Sequence, residues 1–236
     1  MNDDISTADL LKSLEEINVP DERCAVFSRY DEHGLRDDSL PDHYADIAKF
    51  QLSQEVPRAV VIQYETAKNI YLYAWYVYRF YPVAEQQALS SLEMGLRNRF
   101  PGNLPLGYGY KDRPNHRPTL APLLRYAIDQ GLIRNEGFSR WHRLVRQRAK
   151  DRVLFEQIEE MQITDTTVQK ISSDEIVPNA ADLDCDFVSV LEKTLPGIRN
   201  AYAHGSTRLS NQVLGTFELV KEILIQLYPT DSIKNR

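Results

Sequence analysis

Cysteine is scarce in this chain: Cys24 and Cys185 are the two among 236 residues. Thiols so few and so far apart do not make the dense disulfide framework of a small secreted scaffold, so a reducing cytoplasmic setting is expected. Long hydrophobic runs are lacking too. The most apolar stretch, Ile70 to Tyr78 (IYLYAWYVY), is about half of the roughly 20 residues a spanning helix needs, and Lys68, Asn69 and Arg79 bound it. No membrane segment is read. The acidic start MNDDISTADLL lacks the basic and apolar regions of an export signal, so export is not expected. Metal-ligating patterns are missing as well, since no histidine or cysteine grouping has zinc spacing and His33, His43 and His116 are isolated. Asp182, Asp184 and Asp186 alternate like the start of a calcium loop, but Phe187 stands where that loop needs glycine and Lys193 where it needs its closing glutamate. Gly107 and Gly109 lack the following Lys-Ser/Thr of a phosphate-cradling loop, and no G-x-S-x-G nucleophile signature occurs. No metal and no cofactor is expected.

What is present is enough apolar material, 42% of residues, for one ample domain plus an arm or for two small ones. The net charge of -6 hides a strong segregation. Residues 1–57 hold 14 acidic against 5 basic side chains, and residues 58–152 hold 7 against 16. Residues 153–198 return to 10 against 2, and the remainder holds 3 against 5. The first segment has weak periodicity and breaks at Pro20, Gly34 and Pro41. It reads as an acidic N-terminal arm, partly helical or flexible, with a helix over Ala8 to Glu16 capped by Ser6 or Thr7.

From Arg58 the pattern is helical. Arg58 to Phe80 is apolar on all sides and free of turn signals, which predicts a central helix that Pro82 breaks or kinks. Val83 to Arg99 places Ala88, Leu92 and Leu96 on one stripe, with Glu93 and Arg97 one turn apart. A Gly- and Pro-rich loop fills residues 101–118. Helices capped by Thr119 and Ser139 follow, the latter over Phe138 to Arg152, with Phe155 to Met161 as its continuation and the rest up to Asp182 a loop. Asp184 to Leu195 and Ile198 to His204 predict a helical pair around Pro196-Gly197. Gln212 to Tyr228 places Val213, Phe217, Val220, Leu224 and Leu227 on one stripe, with Pro229 as the stop. The reading is an all-α helical bundle over residues 58–230 preceded by the arm.

Chemistry concentrates in LPGIRNAYAHG, residues 195–205. Asn200 and His204 share a helix face, whereas Arg199 points about 140° away from His204, a gap that a break at Pro-Gly lets a long side chain close. Gly205 suits a helix C-cap, and the carbonyl end of a helix favours a cation, which fits His204 as a proton donor. Arginine can clamp the charge of a phosphorane and histidine can move protons, the set that metal-free RNA cleavage by a neighbouring 2′-hydroxyl requires. The bland alternative has Arg199 paired with an acid, Asn200 bonding a loop and His204 plugging a helix end.

The run Arg199-Asn200-Ala201-Tyr202-Ala203-His204 resembles the R-x4-6-H motif of the HEPN superfamily, with a polar residue directly after the arginine. SLEMGLRNRF, residues 91–100, is similar to the second-helix pattern of those families, with Glu93 matching the acid that faces the motif. The resemblance implies a HEPN-like helical domain, a homodimer and a metal-independent endoribonuclease of toxin-antitoxin or defence type. RNA would be the substrate, and an antitoxin or other regulatory protein a partner. By that implication His204 is general acid/base, Arg199 phosphate clamp, Asn200 orienter and Glu93 the anchor behind Arg199. Other members are inactive binding modules, so a non-catalytic dimerisation or binding role stands beside it. Ser206 occupies the place where one subgroup carries a modified tyrosine, which sets this chain apart from that regulation.

A second constellation is basic. Arg140, Arg143, Arg146 and Lys150, with Trp141 among them, suit a phosphate backbone and stacked bases. The alternative is a solvated face paired with neighbouring acids, including an acidic arm laid over it as a mask.

Overall fold

The structure, a computed structural model, describes residues 6–105, 107–108, 117–164, 176–204 and 209–230. Its centre is the helix Phe80–Arg99 (α3), on which Ala88, Leu92 and Leu96 are all fully buried. These positions recur at the period of the helix, so one continuous stripe of small and branched side chains lines the core. Helix α2, Arg58–Tyr73, lies antiparallel on one side of α3. Its buried residues, Val60, Tyr64, Ala67 and Tyr71, step by four, three and four, while Ile62 and Tyr73 are exposed. The helix is therefore one-faced, not apolar all round as its composition suggests. It ends before Pro82, which sits in the first turn of α3, where a missing N–H breaks no intrahelical bond.

Helix α8, Leu214–Leu227, runs parallel to α3 on another side and buries the predicted stripe Val213, Phe217, Val220, Leu224 and Leu227. Two tyrosines pin the packing: the buried Tyr64 hydroxyl donates to the Phe217 carbonyl at 2.9 Å, and that of Tyr228 to the Gly95 carbonyl at 2.7 Å. Gly95 is required by this approach, since a Cβ there would stand 2.4 Å from Cδ2 of Leu224.

The remaining α-helices among the described residues are α1 (Leu40–Ala48), α4 (Leu120–Asp129), α5 (Ser139–Thr164), α6 (Ala180–Leu183) and α7 (Phe187–Ala203). Thr119 precedes α4 but makes no capping bond through its side chain. At the start of α5 the Ser139 N–H donates 2.9 Å to Glu222 of α8, so a tertiary carboxylate satisfies it. Helix α6 lies in the segment read as loop, and Asn179 and Asp182 cap it reciprocally. Helix α7 runs without interruption through Pro196 and Gly197, where a helical pair was expected. Its buried face, Phe187, Leu191 and Leu195 with Pro196, is held by the body. Such packing outweighs the roughly 3 kcal/mol that an interior proline costs.

The N-terminal segment departs from expectation. Thr7–Asp9 forms a single 3-10 turn in place of a helix over Ala8 to Glu16. Ser28–Asp31 (β1) and Gly34–Asp37 (β2) pair as an antiparallel hairpin, with Asp31 opposite Gly34 and Ser28 opposite Asp37. Arg29 and Arg36 bridge the hairpin to Asp31, Asp38, Asp42 and Asp46. Anchoring to the body is apolar and polar together. The His43 ring stacks on Tyr71 at 4.3 Å between centroids, and its Nε2 bonds the Tyr71 carbonyl at 2.8 Å. Asp21 accepts from the Tyr78 N–H at 3.0 Å, and Asp9 pairs with Arg79 at 2.5 Å. Among the described residues no helix is long and apolar enough to cross a membrane.

Candidate active site between α3 and α7

Two carboxylates on α3 face α7. Glu93 Oε2 lies 3.4 Å from Nε of Arg199, and its Oε1 takes a short hydrogen bond from Nη2 of Arg97. Eight residues earlier, Glu85 Oε2 accepts from the Tyr202 hydroxyl at 2.5 Å. The pairs Glu93–Arg199 and Glu85–Tyr202 make α3 and α7 antiparallel, with the motif running out toward the N-terminal end of α3.

Glu93 is buried, whereas the side chains of Arg97 and Arg199 keep 39% and 33% exposure. One carboxylate shared by two guanidinia leaves an excess positive charge, and that exposure puts it in reach of a ligand. Arg97 is steadied further by donating its Nε–H to the Pro118 carbonyl at 3.1 Å. Arg199 Nη1 lies 3.5 Å from Oδ1 of Asn200, the outer limit of a hydrogen bond. Asn200 and His204 are both exposed, and the His204 N–H caps the helix end by donating to the Asn200 carbonyl at 3.0 Å. The structure thus brings Arg199, Glu93 and Asn200 together. With α7 uninterrupted, Arg199 and His204 leave the helix about 140° apart, and no Pro-Gly break closes that angle within one copy. The readings made for Gly205 and Ser206 lie outside the described residues, as does half of the loop 101–118, including Gly109 and His116.

The basic constellation is divided by the fold. Arg140, Arg143, Arg146 and Lys150 are exposed on α5, but Trp141 is buried and donates its Nε1–H to the Cys185 carbonyl at 2.9 Å. Neighbours on a helix diverge by about 100°, so the indole points into the core and cannot stack on a base. Phe138, Trp141, Val145 and Ala149 are the buried stripe of this helix, a three- and four-residue spacing already present in the sequence. Arg143 pairs with Glu218 at 3.1 Å, which pushes its pKa up, and Arg152 with Asp182 at 3.0 Å. Asp182, first of the three alternating aspartates, is thereby committed to a guanidinium and a helix cap; Arg152 is the main cause of its lowered pKa. The ion pairs of the acidic arm go to Arg23, Arg29, Arg36, Lys49 and Arg79, with His33 beside Glu32, so among the described residues it does not mask the α5 stripe.

The sequence reading passed over Glu85. Its signal was available, because Glu85, Ala88, Leu92 and Leu96 step by three, four and four along the stripe that α3 buries. A carboxylate on a core stripe needs partners, and here they are the hydroxyls of Tyr202 and Thr216, each at 2.5 Å.

Comparison with models of known families, with curated proteins and with solved structures finds no match to this chain.

Proposed function

We propose that this chain is a HEPN-like, metal-independent endoribonuclease that acts as a homodimer. The observation that carries the reading is the Glu93–Arg199 contact, which fixes a half-exposed guanidinium beside Asn200 at the end of the helix that His204 caps. In the reaction His204 takes the proton of the 2′-hydroxyl as its oxygen bonds to phosphorus. The phosphorane charge falls to Arg199, with Asn200 orienting the phosphate, and the departing 5′-oxygen receives the proton back from His204 as the P–O bond breaks. A cyclic phosphate and a free 5′-hydroxyl result. Because Arg199 and His204 diverge on one helix, a second copy completes the site. An antitoxin or other regulatory protein is the partner that holds it in check, and the cytoplasm is where it acts.

The continuous α7 favours a second reading, a non-catalytic helical dimerisation or binding module in which the same residues hold structure. Single Arg199→Ala and His204→Ala variants separate the two when RNA cleavage is followed with EDTA present alongside thermal melts. The nuclease reading expects each to lose cleavage by about a hundredfold or more with melting almost unchanged. An inert wild type, or full activity in both variants, sinks it.

A further inference from the structure

Four carboxylate side chains are buried among the described residues: Asp21, Glu85, Glu93 and Asp182. Three of them meet an arginine, at 2.8 Å for Asp21, 3.4 Å for Glu93 and 3.0 Å for Asp182. Glu85 meets none. Its two oxygens each accept one hydroxyl, from Tyr202 and from Thr216, and each keeps a further lone pair. A carboxylate taken out of water with only neutral donors is poorly compensated, and an adjacent cation is the usual remedy.

Glu85 and Thr216 also line a cleft of about 520 Å³ between α5, α7 and α8. Its walls are mostly apolar: Leu144, Phe187, Leu191, Leu195, Ile198 and Leu219 face into it, and among the described residues Arg140 of α5 is the one other charged residue lining it. The volume falls in the range of small-molecule sites, roughly 300 to 1,000 Å³, and such sites combine an apolar wall with few polar groups. We infer that this cleft binds an organic amine, with the apolar body against α5 and α7 and the ammonium group on Glu85. The ligand supplies the cation that Glu85 lacks, and Arg140 favours a neutral or anionic outer end over a second ammonium.

The test uses the whole chain and two probes of one shape, 4-phenylbutylamine and 4-phenylbutan-1-ol, titrated by calorimetry. Cys185 lines the same cleft, so its alkylation by iodoacetamide reports occupancy independently. Cys24 does not interfere, because burial pushes its thiol up to about 11. The amine should bind about tenfold tighter than the alcohol and slow the alkylation of Cys185, as expected for a hydrogen bond to a charged group. Glu85→Gln should erase the preference. Val190→Trp, at an exposed position on the rim, should block both probes even if Glu85→Gln fails to fold. Equal affinity for amine and alcohol, a preference that survives in Glu85→Gln, an amine that binds Val190→Trp as well as wild type, or no binding at millimolar concentration overturns the inference. None of these readouts depends on RNA cleavage.

Discussion

Two seams of this molecule each place a buried carboxylate against guanidinium groups, yet they are built for different ends. Where the N-terminal arm meets the body, Asp21 accepts from the side chain of Arg23 at 2.8 Å and also from the backbone N–H groups of Arg23 and Tyr78, at 3.1 and 3.0 Å. Where α3 meets α7, the polar partners of Glu93 among the described residues are the side chains of Arg97 and Arg199 alone. Backbone donors cannot move to water without unravelling the chain, whereas half-exposed guanidinia can. The first seam is therefore a clasp, and the second is a charge held in place but left within reach. A buried ion pair alone does not distinguish the two; what else the carboxylate satisfies does.

The sharpest test of that contrast is Asp21→Asn. It removes the charge and sets an amide N–H where an acceptor is needed, so stability should fall by about 2 to 3 kcal/mol. For a chain of this size the melting temperature drops by roughly 5–10 °C. RNA cleavage below that temperature should be unchanged. A melting temperature close to wild type would mean the arm is not clasped through Asp21.

Glu93→Gln should do the reverse. Its arginines can turn to solvent and the amide leaves no uncompensated charge buried, so melting should shift by no more than about 3 °C. Cleavage should fall about ten- to a hundredfold, because a loosened Arg199 no longer sits where the phosphate needs it. If melting falls as far as in Asp21→Asn while cleavage holds, the second seam is a clasp too.

How much of this was legible in the sequence depends on how local the cause is. The stripes of α3 and α8 are set by periodicity alone and match the structure position by position. The contact of Glu93 with Arg199 joins residues far apart in the chain, and it came from the resemblance of two short motifs, not from spacing. Punctuation misled. Pro82 sits harmlessly in a first turn, and Pro196 is overridden by the buried residues on its own helix. The hairpin was missed because Arg29 and Arg36 hold it by ion pairs, while Tyr30 and Leu35 lie exposed and give no alternating pattern. Trp141 was misjudged by chain adjacency to arginines, although one step along a helix turns a side chain to another face.

The smallest effect expected is a pH dependence that belongs to the clasp. His43 is buried against Tyr71, Trp75 and Tyr81, and burial holds its pKa below the ordinary histidine value, against the opposing pull of the Tyr71 carbonyl and of Asp46 and Asp38, with Arg29 adding to the lowering. The Tyr71 carbonyl can only accept, so Nε2 carries the proton and donates. Folding therefore favours the neutral ring, and its contribution is complete above about pH 6.5, the unfolded value. As pH falls below that point the unfolded chain binds a proton that the folded chain resists, and stability declines by at most about 1.4 kcal/mol per pH unit. Asp21 acts in the same direction but later: its pKa is also depressed, by its hydrogen bonds to Arg23 and Tyr78 against the cost of burial, so its contribution is lost only below the ordinary aspartate range. Urea melts at pH 7, 6 and 5 should show the decline in wild type and a flat profile in His43→Phe, which is less stable at pH 7 but has nothing to titrate there. An equal slope in both would place the proton elsewhere and remove His43 from the clasp.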